Sequence, residues 1–207
     1  SGLKLAQHEI YRLFLQKQLI RMRTNAEPAI VKYVRAGNFE IKPWRDGAQD
    51  AMFTIPFENP SGYKYSLFNS DKLDSSNEDG WQMGMNLPSN DTLSYHFTTS
   101  NFKVFNASDI TIDPYYQRHE LSIISKYTGS YLQLTNTTNN TSWRLNKSSK
   151  GGNTVILNGI TTTVDGKPAS NLTDYGNLAL EPGYNNIKVS GATKMAITFS
   201  FPFIYLG

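Results

Sequence analysis

The chain has 207 residues, with 20 Lys and Arg against 17 Asp and Glu, and contains no Cys. This length suits one large domain or two small ones; the missing Cys excludes a disulfide framework, thiolate-bound zinc or iron–sulfur clusters and a thiol nucleophile. No apolar run approaches the ~18 residues a membrane span needs, and no charged segment followed by an apolar one marks a signal peptide.

Residues 3–23 carry a helical pattern, with Tyr11, Leu15, Leu19 and Met22 in one row and Ile10, Leu13 and Phe14 widening the apolar face. The back of this helix is basic, with Lys4, Arg12, Lys17, Arg21 and Arg23 opposed by Glu9 alone. A solvated face or a face meeting another subunit explains such a cluster. A nucleic-acid footprint needs aromatics between the cations, so no nucleic-acid specificity is expected. The period then changes to two over Ile30–Arg35, with Gly37-Asn38 as a turn into Phe39–Lys42, and Ala51–Phe57 continues as a strand whose end Pro56 places at an edge or bulge.

From residue 81 onward no helical stretch of useful length occurs. Short β-prone runs follow one another at 81–86, 93–98, 102–106, 119–126, 130–135, 142–145, 154–158, 161–164, 178–180, 186–190 and 195–203. Gly, Pro, Asn and Asp punctuate them, most clearly at Asn158-Gly159. The expected fold is mainly β: an antiparallel β-sandwich preceded by a partial α+β piece of one helix and a small sheet.

The polar composition places the boundary. Residues 1–68 hold 8 Asn, Ser and Thr with 10 cationic and 6 acidic side chains, whereas residues 69–207 hold 48 with 10 and 11. The segment 69–80 is nearly free of apolar residues and rich in turn formers, so it is expected as a linker between a first domain, 1–68, and a sandwich, 81–207. The chain opens on Ser1-Gly2 rather than Met, which suggests a cut through a longer protein.

Catalytic chemistry is thin. His8, His96 and His119 lie far apart without metal-ligand spacing, and no phosphate-cradling, dinucleotide or nucleophile-elbow motif occurs, so neither an enzyme, a metal site nor a cofactor is expected. Aromatic side chains on a sandwich can stack on sugar rings, and Trp81, Trp143 with the adjacent Arg144, and the Tyr115-Tyr116 pair are the candidates. Core packing of one or both tryptophans is the plainer alternative.

The run Tyr131–Trp143, then Val155–Gly159, Leu178–Ile187 and the closing Ile197–Tyr205 resemble the distal tail protein (Dit) family of siphophages infecting Gram-positive bacteria. The helix followed by Asn25–Arg35 and Phe53–Pro60 looks like the later part of that family's ring-forming domain. The resemblance implies a virion protein assembled in the bacterial cytoplasm. Its N-terminal domain would form a hexameric ring in the baseplate between the tail-tube protein and a tail-associated lysin or tip protein. Its C-terminal domain would be a galectin-like β-sandwich projecting outward; the alternative reading, from the aromatic candidates, makes that sandwich a carbohydrate-binding module for host cell-wall polysaccharide. Further strands precede the helix in that family, so an N-terminally truncated chain is implied. The His-x-Asn-x-Arg string of sugar-binding galectins does not occur: His96 is followed by Phe97-Thr98. Fold alone does not carry the site.

Overall fold

The computed structural model describes residues 2–73, 80, 82–88 and 92–207. The chain forms two compact units, Ser1–Lys64 with Leu206–Gly207, and Tyr65–Tyr205.

The first unit opens with helix α1 (Gly2–Phe14) and the hairpin β1 (Ile20–Thr24) and β2 (Glu27–Ala36). The helix is shorter than the periodicity predicts, because residues 20–24 pair with β2, Ile20 opposite Val34 and Met22 opposite Lys32. Ile20 and Met22 turn inward and Arg21 and Arg23 outward, a period of two that the helical row had masked. The basic cluster is therefore divided between a helix and a strand. The hairpin turn falls at Asn25-Ala26, and Gly37 instead donates its N–H to the Pro56 carbonyl at 2.8 Å. The predicted strand over 51–57 shrinks to β3 (Phe57–Glu58), which pairs with Arg35 and Ala36, since Pro56 has no N–H to give to a ladder. β4 (Tyr63–Ser66), not foreseen, leaves the unit at Lys64. Glu27 of β2 takes the ammonium groups of Lys64 at 2.9 Å and Lys32 at 3.1 Å, which hold its carboxyl below the usual carboxylate range. The N–H of Gly207 donates to the Gly62 carbonyl at 3.3 Å, so the last residues of the chain belong to its first unit.

The second unit is built on a nine-stranded antiparallel sheet that folds over on itself. Its strands are β5 (His96–Phe97), β6 (Asn101–Asn106), β7 (Ser122–Asn136), β8 (Thr141–Leu145), β9 (Ser149–Lys150), β10 (Val155–Asn158), β11 (Thr161–Val164), β12 (Lys167–Pro168) and β13 (Gly183–Ser200). β14 (Ile204–Leu206) ends the chain's regular structure. The runs 119–126 and 130–135 merge into β7, and the run 186–190 with residues 195–200 of the last run merges into β13. The run 178–180 keeps only a bridge from Leu180 to Ile112. Asn158 faces Thr161 across the expected tight turn.

Both long strands bend in the middle. The first half of β7 pairs with β10 and with the second half of β13, while its second half pairs with β8 and with the first half of β13. Register shifts at Ser190–Lys194 re-phase the ladder, so β7 buries Ile123, Ser125 and Tyr127 before the bend and Leu132, Leu134 and Asn136 after it. Two facing layers result, β12-β11-β10-β7-β13-β5 and β8-β7-β13-β6. Between them Phe97 of one layer stacks on Phe102 of the other with ring centroids 4.0 Å apart, and Phe199 meets both rings edge-on. Tyr95, Phe201 and Phe203 extend the cluster, and the Tyr95 hydroxyl, donating to the Phe105 carbonyl, has its pKa pushed up by burial.

Residues 69–73, expected to open a linker, are knitted into this unit. Ser70 is buried, its hydroxyl donating to the Phe199 carbonyl and accepting from the Phe201 N–H. The remainder of the expected linker at 74–79 lies outside the described residues.

Candidate functional surfaces

Trp143 sits on β8 between two outward-facing neighbours and is 1% exposed. Its indole N–H donates to the Thr162 hydroxyl of the facing layer at 3.2 Å. A sugar cannot reach either ring face, so the plainer alternative describes Trp143 and its expected stacking role is withdrawn. Strand alternation explains the failure of the pair: adjacent residues point to opposite faces, so Trp143 and Arg144 cannot line one site. Arg144 does face outward. Its guanidinium lies 3.9 Å from the centre of the Tyr131 ring, and its Nε donates to the Asn146 side chain at 2.7 Å. Tyr131 is a partner that sequence reasoning missed, because the contact crosses two strands. Trp81 lies outside the described residues.

Tyr115 and Tyr116 are both exposed, Tyr116 to 77%, and meet edge to face at 4.8 Å. Their loop is held by Asp113, whose carboxylate accepts from the N–H groups of both tyrosines at 3.0 Å and whose carbonyl accepts from Gln117 and His119. The Asp113 N–H in turn donates to Nδ1 of His119 at 3.1 Å. That bond requires a neutral imidazole, and desolvation lowers the His119 pKa against the opposing pull of the Thr111 backbone and Asp113. A depressed folded pKa makes the contribution complete above the unfolded imidazole value near ~6.5 and removes it as the pH falls through the lower folded value. Amide protection factors at Asp113–His119, taken against the intrinsic exchange rate at each pH, should therefore fall on acidification in that window, and a His119→Gln variant should lose that dependence. Unchanged protection factors from pH 7 to pH 5 would show that His119 does not pin the loop.

The first unit offers a different kind of surface. Leu3, Gln7, Tyr11 and Phe14 form one half-buried row of α1: Tyr11 stacks on Phe39 at 5.1 Å, Phe14 meets Phe57 at 5.8 Å and the Gln7 amide donates to the Ile41 carbonyl at 2.9 Å. No residue of the helix is buried. On its outer side Leu5 is 67% and Leu13 61% exposed, and elsewhere in the unit Trp44 and Met52 are exposed as well. Among the described residues the fully buried hydrophobic side chains of this unit are Ala29, Ile30, Val31, Val34 and Ile41, a small core for its length.

Among the described residues no cluster of three or more His, Asp or Glu side chains could hold a metal ion, and no helix is long and apolar enough to cross a membrane.

No family model and no curated protein sequence matches the chain. Among solved structures it is similar to the crystal structure of SPP1 Dit (gp 19.1), described as a paradigm of the hub adsorption apparatus in phages infecting Gram-positive bacteria. The identity is 10% and the TM-score 0.60, over 97% of this chain and 71% of that one. At this identity the likeness is one of fold: a mainly β, antiparallel chain with one α-helix among the described residues, of the architecture that SPP1 Dit displays.

Proposed function

We propose that this chain is a structural protein of a phage tail, a hub component of distal tail type that acts through protein–protein interfaces rather than catalysis. The fold likeness to SPP1 Dit over nearly the whole chain supports it. The observation that carries it furthest is the first unit's outer helix side, where Leu5 and Leu13 face solvent above a core of only a few buried side chains. These two leucines flank the exposed Glu9–Arg12 ion pair on the same side of the helix, a mixed apolar and charged surface that a neighbouring copy can cover. In this reading that side meets a neighbouring copy in a ring with heterologous contacts closed by rotation, the tail tube and a tip or lysin protein bind the ring's two sides, and the protein resides in the virion.

The test is the association state of the full chain by native mass spectrometry and light scattering over micromolar to millimolar concentration. The expected result is a concentration-dependent oligomer that Leu5→Asp/Leu13→Asp abolishes without changing the melting temperature, since both side chains are already exposed. A strict monomer at the highest concentration, with no binding to a tail-tube protein, would sink the reading.

A further inference from the structure

The nine strands of the second unit's sheet contain Lys103, Lys126, Arg144, Lys150, Lys167, Lys188 and Lys194 but neither Asp nor Glu. Asp109, Asp174 and Glu181, which border the layer β8-β7-β13-β6 in sequence, lie in loops and accept hydrogen bonds, Asp109 from the Asn86 amide. Asp174 accepts from the N–H groups of Arg144 and Gly176, and Glu181 from the Thr111 hydroxyl and the Asn139 amide.

Register puts the layer's cations on one side. Lys103 stands opposite Asn186, Lys188 opposite Asn101 and Thr135, and Gln133 opposite both Ser190 and Arg144. Their strand neighbours Val104, Ile187, Val189, Leu134 and Trp143 are buried, so these side chains share the solvent face. Two rows along and one strand across, Lys103 and Lys188 are roughly 8 Å apart by strand geometry. They flank a shallow hollow of about 310 Å³ that Asn101, Asn186 and Thr137 also line. Both lysines are exposed, and no described ion pair involves either one.

We propose that this face binds a linear phosphodiester polymer of sugars or polyols, with the hollow between Lys103 and Lys188 as its principal seat. Two ammonium groups outside any described ion pair can at this spacing meet successive phosphates of one chain, and the surrounding amides and hydroxyl can hydrogen-bond the polyol between them. A nucleic acid fits less well. On this face Tyr131 is capped by Arg144 at 3.9 Å, and Tyr184, though partly exposed, already has Lys103 at 5.9 Å and Phe105 edge-on at 4.8 Å, so a base stacking on either ring would displace a contact already made. The proposal is independent of the tail-hub reading: a monomeric protein would retain this face, and a ring would form without it.

The experiment is titration of the full chain with synthetic poly(glycerol phosphate), beside neutral dextran and oligo(dT), at about 50 and about 500 mM salt. Binding of the phosphate polymer alone is expected, weakened by about tenfold or more at the higher salt. Lys103→Gln/Lys188→Gln should weaken it by about tenfold, while Lys126→Gln/Lys194→Gln, which removes the same charge from the opposite layer, should leave it within about twofold. The proposal is overturned if the wild type does not bind the polymer, if both double variants lose equally, or if dextran or oligo(dT) binds as tightly with the same lysine dependence.

Discussion

Gly129→Ala is expected to destabilise the second unit by about 3 kcal/mol or more, the cost of forcing backbone apart in a packed sheet. Gly129 sits at the bend of β7, opposite Ala192 of β13, where the two long strands pass from one layer to the other. A methyl group there would overlap the Gly191 carbonyl oxygen and lie 2.8 Å from the Ala192 Cα. Both are backbone atoms, so no side-chain rotation relieves the clash. Gly191 is constrained by the same crossing from the other side: its φ is +84°, and a Cβ would enter the Tyr131 ring. Gly152 has open space around it and ordinary φ, so Gly152→Ala should change stability by less than about 0.5 kcal/mol. Urea unfolding of the three proteins measures the contrast. Similar midpoints for Gly129→Ala and Gly152→Ala would mean that the strands can separate at the bend.

Trp143→Ala should cost about 3–5 kcal/mol, the range for emptying a buried indole site. The ring is almost wholly buried between the layers, and its loss also strands the Thr162 hydroxyl that accepts from it. Trp143→Phe, which keeps most of the volume and removes the N–H, should cost less. Measured by chemical denaturation, these values test whether Trp143 joins the two layers. If Trp143→Ala leaves stability within about 1 kcal/mol of wild type, the tryptophan is not the core residue described here.

Buried polar groups reinforce the same layer. Asn136 and Asn185 are completely buried, and the Asn136 amide donates to the Ala179 carbonyl and to the Asn185 side chain at 2.8 and 2.9 Å. Asn185 accepts from the Glu181 N–H and donates to the Glu181 carbonyl at 2.8 Å each. The Asn richness that marks the boundary near residue 69 is thus partly structural. Some of these amides close turns and ladders from inside, where a satisfied hydrogen bond replaces water.

Much of the sandwich was legible because period-two alternation and turn chemistry are local. β6, β8, β10, β11 and the turn between Asn158 and Thr161 lie where the pattern places them. Leu15, Leu19 and Met22 misled for an equally local reason: an apolar residue every three or four positions fits a helix, yet Ile20 and Met22 also satisfy a strand once β2 is there to pair with them. The surface reading failed at Trp143 through disregard of alternation, a signal already present in the sequence. The acid-free strands were equally visible, but only register shows which of their lysines share a face.

By itself the sequence determined the class of this protein: a cysteine-free chain with little catalytic equipment, divided into an α+β piece and an Asn/Ser/Thr-rich antiparallel β unit. Tertiary structure alone decided that β7 and β13 are single bent strands shared by two layers, that Trp143 lies between those layers, and that Leu206 and Gly207 return to the first unit. Each of these rests on pairing between residues far apart in the chain. Local patterns report which face of a strand is apolar, whereas the partner that covers that face is chosen by packing and backbone hydrogen bonds over the whole chain.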